Sequence, residues 1–130
     1  MKAINKRAAA VMDKLVDGLE FIGDHRKVDN GGAGIMAVCV EFIGQFGLGD
    51  VFSVAHYHVQ NGDMMQDPEM EFIRAADGRY YPRSFLQAPY PERRTIEMRD
   101  GRIFASPRAQ ADQAAFAGTW MRNIKQQQGL

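Results

Sequence analysis

The chain has 130 residues, 45% of them hydrophobic and 25% charged, which fits one globular domain with a real core. Lys plus Arg and Asp plus Glu number 16 each, so the formal net charge is zero and a bare DNA duplex is a poor electrostatic match. The single cysteine, Cys39, excludes an intramolecular disulfide and any multi-cysteine metal site, and its apolar surroundings read as a buried, inert thiol.

No apolar run reaches the roughly 20 residues that span a bilayer. The N-terminus carries basic residues without the continuous apolar core of a secretory signal, which points to the cytoplasm. Residues 3–22 read as an amphipathic helix. Ile4, Ala8, Val11, Met12, Leu15, Leu19 and Ile22 fall at steps of three and four, and Gly23 suits the stop. Residues 24–34 read as a glycine-rich connector. The spacing of Gly31, Gly32 and Gly34 matches neither the P-loop nor the dinucleotide fingerprint.

Residues 35–45 form an almost unbroken apolar run, the pattern of a central strand covered on both faces. A turn at 47–50 leads to strands at 51–59 and 64–74, joined by Asn61-Gly62. That dipeptide is the strongest short hairpin signal, because both central positions of a type I′ turn need positive φ. Asp77-Gly78 and Asp100-Gly101 mark further hairpins, the first before a strand at 79–81, the second joining strands at 95–98 and 102–105. Between them residues 81–91, with three prolines, read as an irregular surface segment. Ser106-Pro107 opens a helix over 108–125, with Phe116, Ala117, Trp120, Met121 and Ile124 on its apolar side and a tail that frays from Gln126. The expectation is a single α+β domain over residues 1–130: an antiparallel meander of about six strands with an N-terminal and a C-terminal helix.

The polar residues concentrate in the 51–74 hairpin. If Asn61 and Gly62 are the turn and the register is unbroken, Gln60 faces Asp63, His58 faces Met65, Tyr57 faces Gln66 and His56 faces Asp67. Val51, Ala55, Tyr57, Val59, Met64, Met70 and Phe72 then form the core face. His56, His58, Gln60, Asp63, Asp67, Glu69 and Glu71 share the other face, and Ser53 points to the core. A one-residue slip or a bulge near Pro68 would undo this arrangement.

Three chemistries fit the cluster. His56, His58 and Asp67, with Glu69 alongside, offer imidazole and carboxylate ligands for a divalent zinc, iron or manganese ion. The stretch also resembles the first metal motif of cupins, but no histidine follows His58, so the second motif is absent. A histidine beside a carboxylate suits proton transfer, although no nucleophile accompanies it. Finally, Tyr80, Tyr81 and Tyr90 with Arg74, Arg79, Arg83, Arg93 and Arg94 flank the hairpin, and such residues serve recognition of proteins or single-stranded nucleic acid.

The string His56-Tyr57-x-x-Gln60-Asn61-Gly62-Asp63-x-Met65-x-Asp67-Pro68-Glu69-Met70-x-Phe72 resembles the motif of an uncharacterised bacterial family of small proteins, often encoded on mobile elements and described only as a domain of unknown function. The resemblance covers residues 53–72. It implies an accessory protein of a mobile genetic element that binds a host or element-encoded protein, and it assigns no catalytic residue. The resulting expectation is a non-enzymatic binding protein without a cofactor, acting through His56, Tyr57, Gln60, Asn61, Asp63, Asp67, Glu69, Tyr81 and Arg83. The alternative is a metal-dependent enzyme centred on His56, His58, Asp67 and Glu69. The apolar stripes and sheet edges also suit a homodimer.

Overall fold

A computed structural model describes residues 1–47 and 49–130. Two helices, α1 (Lys6–Val16) and α2 (Pro107–Gln128), flank eight strands: β1 (His25–Val28), β2 (Val38–Phe46), β3 (Gly49–Gln60), β4 (Asp63–Ala75), β5 (Tyr80–Leu86), β6 (Arg93–Arg94), β7 (Ile96–Arg99) and β8 (Arg102–Ala105). Strands β1 to β6 form one antiparallel meander in sequence order, and β7–β8 is a separate hairpin. The α+β meander with terminal helices is therefore as expected. Its membership differs: β1 lies in the stretch read as a connector, β5 runs through the stretch read as irregular, and β7–β8 leaves the main sheet.

The turn chemistry holds at two of the three dipeptides, whereas at Asp77-Gly78 the positive φ is confined to Gly78, at 87°. Asn61 and Gly62 take φ of 53° and 83°, and Asp100 and Gly101 take 49° and 75°, as type I′ hairpins require. Pro82 is accommodated because β6 pairs only with Ser84 and Phe85, so β5 has no strand partner beyond it at Pro82. Of the turn expected at 47–50, Leu48 lies outside the described residues, and β3 already begins at Gly49.

Both helices cover one face of the sheet. Ala8, Val11, Met12, Leu15 and Val16 of α1 and Ala117, Trp120, Met121 and Ile124 of α2 pack on Val38, Val40, Phe42, Phe52, Val54, Met70 and Phe72. Helix α1 stops at Val16, earlier than its apolar stripe suggested, and Ile22 is exposed. Arg26 of β1 donates to the carbonyls of Leu15 (2.7 Å) and Asp17, filling acceptors that the helix end leaves open. The Asp24 carboxylate accepts the amides of Phe21 and Glu20, which holds its pKa below the usual carboxylate value and organises the turn after α1.

Helix α2 carries a stripe the apolar pattern does not reveal, because three of its members are glutamines. Gln110 exchanges hydrogen bonds with both backbone groups of Lys2 (2.6 and 2.8 Å) and donates to the Pro82 carbonyl (3.2 Å). Gln113 accepts from the Thr95 hydroxyl and donates to the Arg93 carbonyl. Gln128 accepts from the Asn30 amide and donates to the Met36 carbonyl. Burial makes each of these bonds costly to leave unmade. They explain why the tail does not fray: the helix runs to Gln128, Gly129 caps it at φ 65°, and Leu130 packs on the core. Phe116 is 41% exposed, with its ring edge-on to Phe85 at 5.2 Å.

Gln110→Ala should therefore cost about 1–3 kcal/mol in urea unfolding, since it strands the buried Pro82 carbonyl and frees both backbone groups of Lys2. Gln126→Ala, at an exposed position of the same helix, should stay within about 0.5 kcal/mol.

Candidate functional site

The hairpin register runs as expected from the turn up to Tyr57 opposite Gln66, and then breaks. The next pair is Ala55 with Glu69, so His56 alone stands opposite Asp67 and Pro68. This two-for-one bulge inverts β4 relative to β3. Val54 now pairs with Met70 and Phe52 with Phe72 on the helix side, while Glu69 and Glu71 pair with Ala55 and Ser53 on the other. An unbroken register would have set Glu69 against Val54 and Glu71 against Phe52, placing two carboxylates in the core, where an unpaired charge is strongly disfavoured.

The expected cluster of two histidines and four carboxylates is thus divided. His56 is buried at 4% exposure; its Nδ1–H donates to the Ala37 carbonyl (2.9 Å) and its ring meets Trp120 edge-on at 5.5 Å. It is a satisfied core residue and makes no hydrogen bond to Asp67. His58, not His56, is the partner of Asp67, at 2.9 Å from Nδ1 to Oδ2. Gln87 donates to the other Asp67 oxygen, also at 2.9 Å, and this bond, with His58, holds the carboxyl below its usual pKa. Among the described residues no group of three or more His, Cys, Asp or Glu side chains is placed to hold a metal ion, and Glu69 lies on the opposite face from His58 and Asp67.

The remaining candidates also scatter. Gln60, Asn61 and Asp63 are exposed at the hairpin tip, beside an exposed Val59–Met64 pair that was expected in the core. Tyr80 is fully buried among the helices' core residues and donates to Asp13 (2.7 Å). Tyr81 packs with Val51, Ile73 and Ile96 under β7–β8, with the Arg79 guanidinium 5.8 Å from its ring centre. Arg74 pairs with Asp50 and lies over Phe52, while Tyr90 is exposed.

What the bulge assembles lies on the face away from the helices. Hairpin β7–β8 covers one end of that face through Ile96 on Val51 and Ile73. Beyond it, two rows of paired positions cross the sheet: His25, Glu41, Ser53, Glu71, Ser84 and Arg94, and beside them Lys27, Cys39, Ala55, Glu69 and Leu86. Tyr57 donates to Glu69 at 3.4 Å. Arg83, the extra residue of a second bulge on β5, reaches Glu71 at 2.7–2.8 Å, with Arg94 at 3.6 Å. Two adjoining depressions of about 280 and 290 Å³ flank Tyr57 and share Lys27 and Cys39 in their walls. Cys39 is half-buried on this open face, not sealed in the core.

The electrostatics of the face are lopsided around Glu69. Partial burial raises its pKa, and the neighbouring carboxylates Glu71, Glu92 and Glu41 raise it further. The Tyr57 hydroxyl is pushed up to about 12, first by burial and then by the Glu69 charge. Among the described residues, Glu71 has its arginines and Glu69 has only the phenol to share its charge.

The family described as a domain of unknown function, DUF6908, matches residues 2–130. The chain belongs to that family. No curated protein and no solved structure matches it. The DUF6908 match extends over the whole chain, beyond residues 53–72 that carried the resemblance. Sequence reading missed Glu41, Cys39 and Lys27 of the DUF6908 chain's open face. The signal for two of them was present: Val38, Val40 and Phe42 alternate with Cys39 and Glu41, so the run has a buried side and a second side that carries a charge.

Because the folded state raises the Glu69 pKa, it binds that proton more tightly than the unfolded chain does. This contribution is present below the raised pKa and is lost as pH rises through it. Glu69→Gln should therefore be more stable than wild type at pH 7 in thermal unfolding, and the gap should close as pH falls towards 4.5, the ordinary glutamate value.

Proposed function

We propose that the protein is a non-enzymatic binding protein, an accessory regulator of a mobile genetic element, that receives a basic side chain of a protein partner on the open face of its sheet. The observation that carries the reading is the Tyr57–Glu69 pair. It is a partly desolvated carboxylate crowded by three others, standing on a strip of sheet that neither helix nor β7–β8 covers. A lysine or arginine brought there by a partner relieves that crowding, and a partly buried charge-assisted bond is stronger than a surface one. The flanking depressions leave room for chain on either side of Tyr57. The mobile-element setting rests on the motif in residues 53–72.

A metal-dependent enzyme has no comparable support, because the bulge separates Glu69 from His58 and Asp67 and turns His56 into the core. Single-stranded nucleic acid is disfavoured by the same carboxylates that attract a basic partner.

Immobilised full-length protein should capture a partner from extract of its native host, and Glu41→Lys/Glu69→Lys should abolish that capture with a melting temperature no lower than that of wild type. His58→Ala/Asp67→Ala, on the other face, should capture as wild type does. Capture that survives the first pair and fails with the second would refute the assignment of the face.

A further inference from the structure

The two helices meet in a cleft that the sheet face does not explain. Lys2 lies at Gln110 and Asn5 at Gly118, so α1 and α2 run in the same direction side by side. Gly118 permits the approach: a Cβ there would stand 2.9 Å from Asn5 Nδ2, and the Asn5 side chain is already committed as the N-cap of α1, accepting from the Ala8 amide at 2.8 Å. Further along, the helices part over a cavity of about 320 Å³ with Ala8 and Val11 in its wall and Arg7, Arg122 and Lys125 around it.

Three cations thus converge on one concavity whose lining contains no carboxylate. None of the three belongs to an ion pair among the described residues, although the chain holds as many acids as bases. Most arginines of the sheet and its hairpins do have carboxylate partners: Arg74, Arg79, Arg83, Arg94 and Arg99. The same cleft receives the N-terminal turn of α1, an 11-residue helix with no acid in its first turn. Asn5 satisfies only the Ala8 amide there, which leaves the amides of Lys6 and Arg7 without an intrahelical partner. The helix dipole and the three side-chain cations all favour negative charge in this cleft. The volume sits at the lower end of the roughly 300–1,000 Å³ in which small ligands bind.

We propose that this cleft is a binding site for a phosphate group, either free or carried by a small phosphorylated metabolite. Two guanidinium groups suit the planar, two-pronged hydrogen bonding that phosphate oxygens accept, and Lys125 adds a point charge. The apolar wall at Ala8 and Val11 gives the rest of a small ligand a surface to lie on.

The test is titration calorimetry of the full chain with inorganic phosphate and, separately, with a nucleoside triphosphate, each at low and at physiological salt. Saturable binding of at least one at a single site is expected. Arg122→Gln/Lys125→Gln should weaken it by about tenfold or more, and Arg7→Gln alone should weaken it measurably. Arg102→Gln/Arg108→Gln removes the same charge elsewhere and should leave it unchanged. Stronger binding of the triphosphate assigns the metabolite form, and equal binding assigns phosphate itself. No saturable binding of either ligand, or equal loss in the cleft and control variants, would overturn the proposal. So would binding of a short single-stranded RNA with none of the small ligands, which would give the cations to a nucleic-acid backbone.

Discussion

One extra residue in β4 decides what each face of this sheet is for. With His56 opposite both Asp67 and Pro68, the alternation of β4 is reset against that of β3. The reset lets Met70 and Phe72 join Val54 and Phe52 under the helices, and it sends Glu69 and Glu71 to the side the helices leave bare. Each buried Met or Phe is worth about 1.5–3 kcal/mol in transfer from water, and each glutamate kept out of the core avoids a penalty of several kcal/mol. The bulge is therefore the arrangement these residues demand, although it breaks a ladder that the Asn61-Gly62 turn starts in perfect alternation.

The same event sets the chemistry. Face inversion breaks up a cluster that looked like a metal or proton-transfer site and leaves three unlike environments. His56 is core. His58, Asp67 and Gln87 form a closed hydrogen-bonded group at the sheet margin, where histidine and carboxylate satisfy one another. Glu69, with Tyr57, is the group whose charge stays poorly matched. Of the three, only the last presents an unmet electrostatic demand to whatever approaches the sheet, which is why the functional reading rests on it.

The fold was legible where local rules dominate. Both Asn-Gly and Asp-Gly turns, the helix at either end, and the meander follow from positive-φ chemistry and periodicity. The failures have physical causes. The stripe of α1 extends past its helix, because Leu19 can be buried from a turn as well as from a helical position. Gln110, Gln113 and Gln128 look like solvent-facing residues until the backbone groups they satisfy are in place, and those groups lie 20 to 108 residues away in sequence. The site was only half legible. Residue types and turn were right, but the register needed a comparison of Phe52-Ser53-Val54 with Met70-Glu71-Phe72, whose apolar positions match only if one residue is skipped.

The bulge between β3 and β4 is reported directly by cross-strand contacts in solution. A nuclear Overhauser spectrum of the labelled protein should show proximity between the backbones of Tyr57 and Gln66 and between those of Ala55 and Glu69, together with contacts from the His56 ring to the Trp120 indole. An unbroken ladder, with His56 across from Asp67 and Ala55 across from Pro68, would return Glu69 to the helix face and contradict both the division of the site and the function proposed for it.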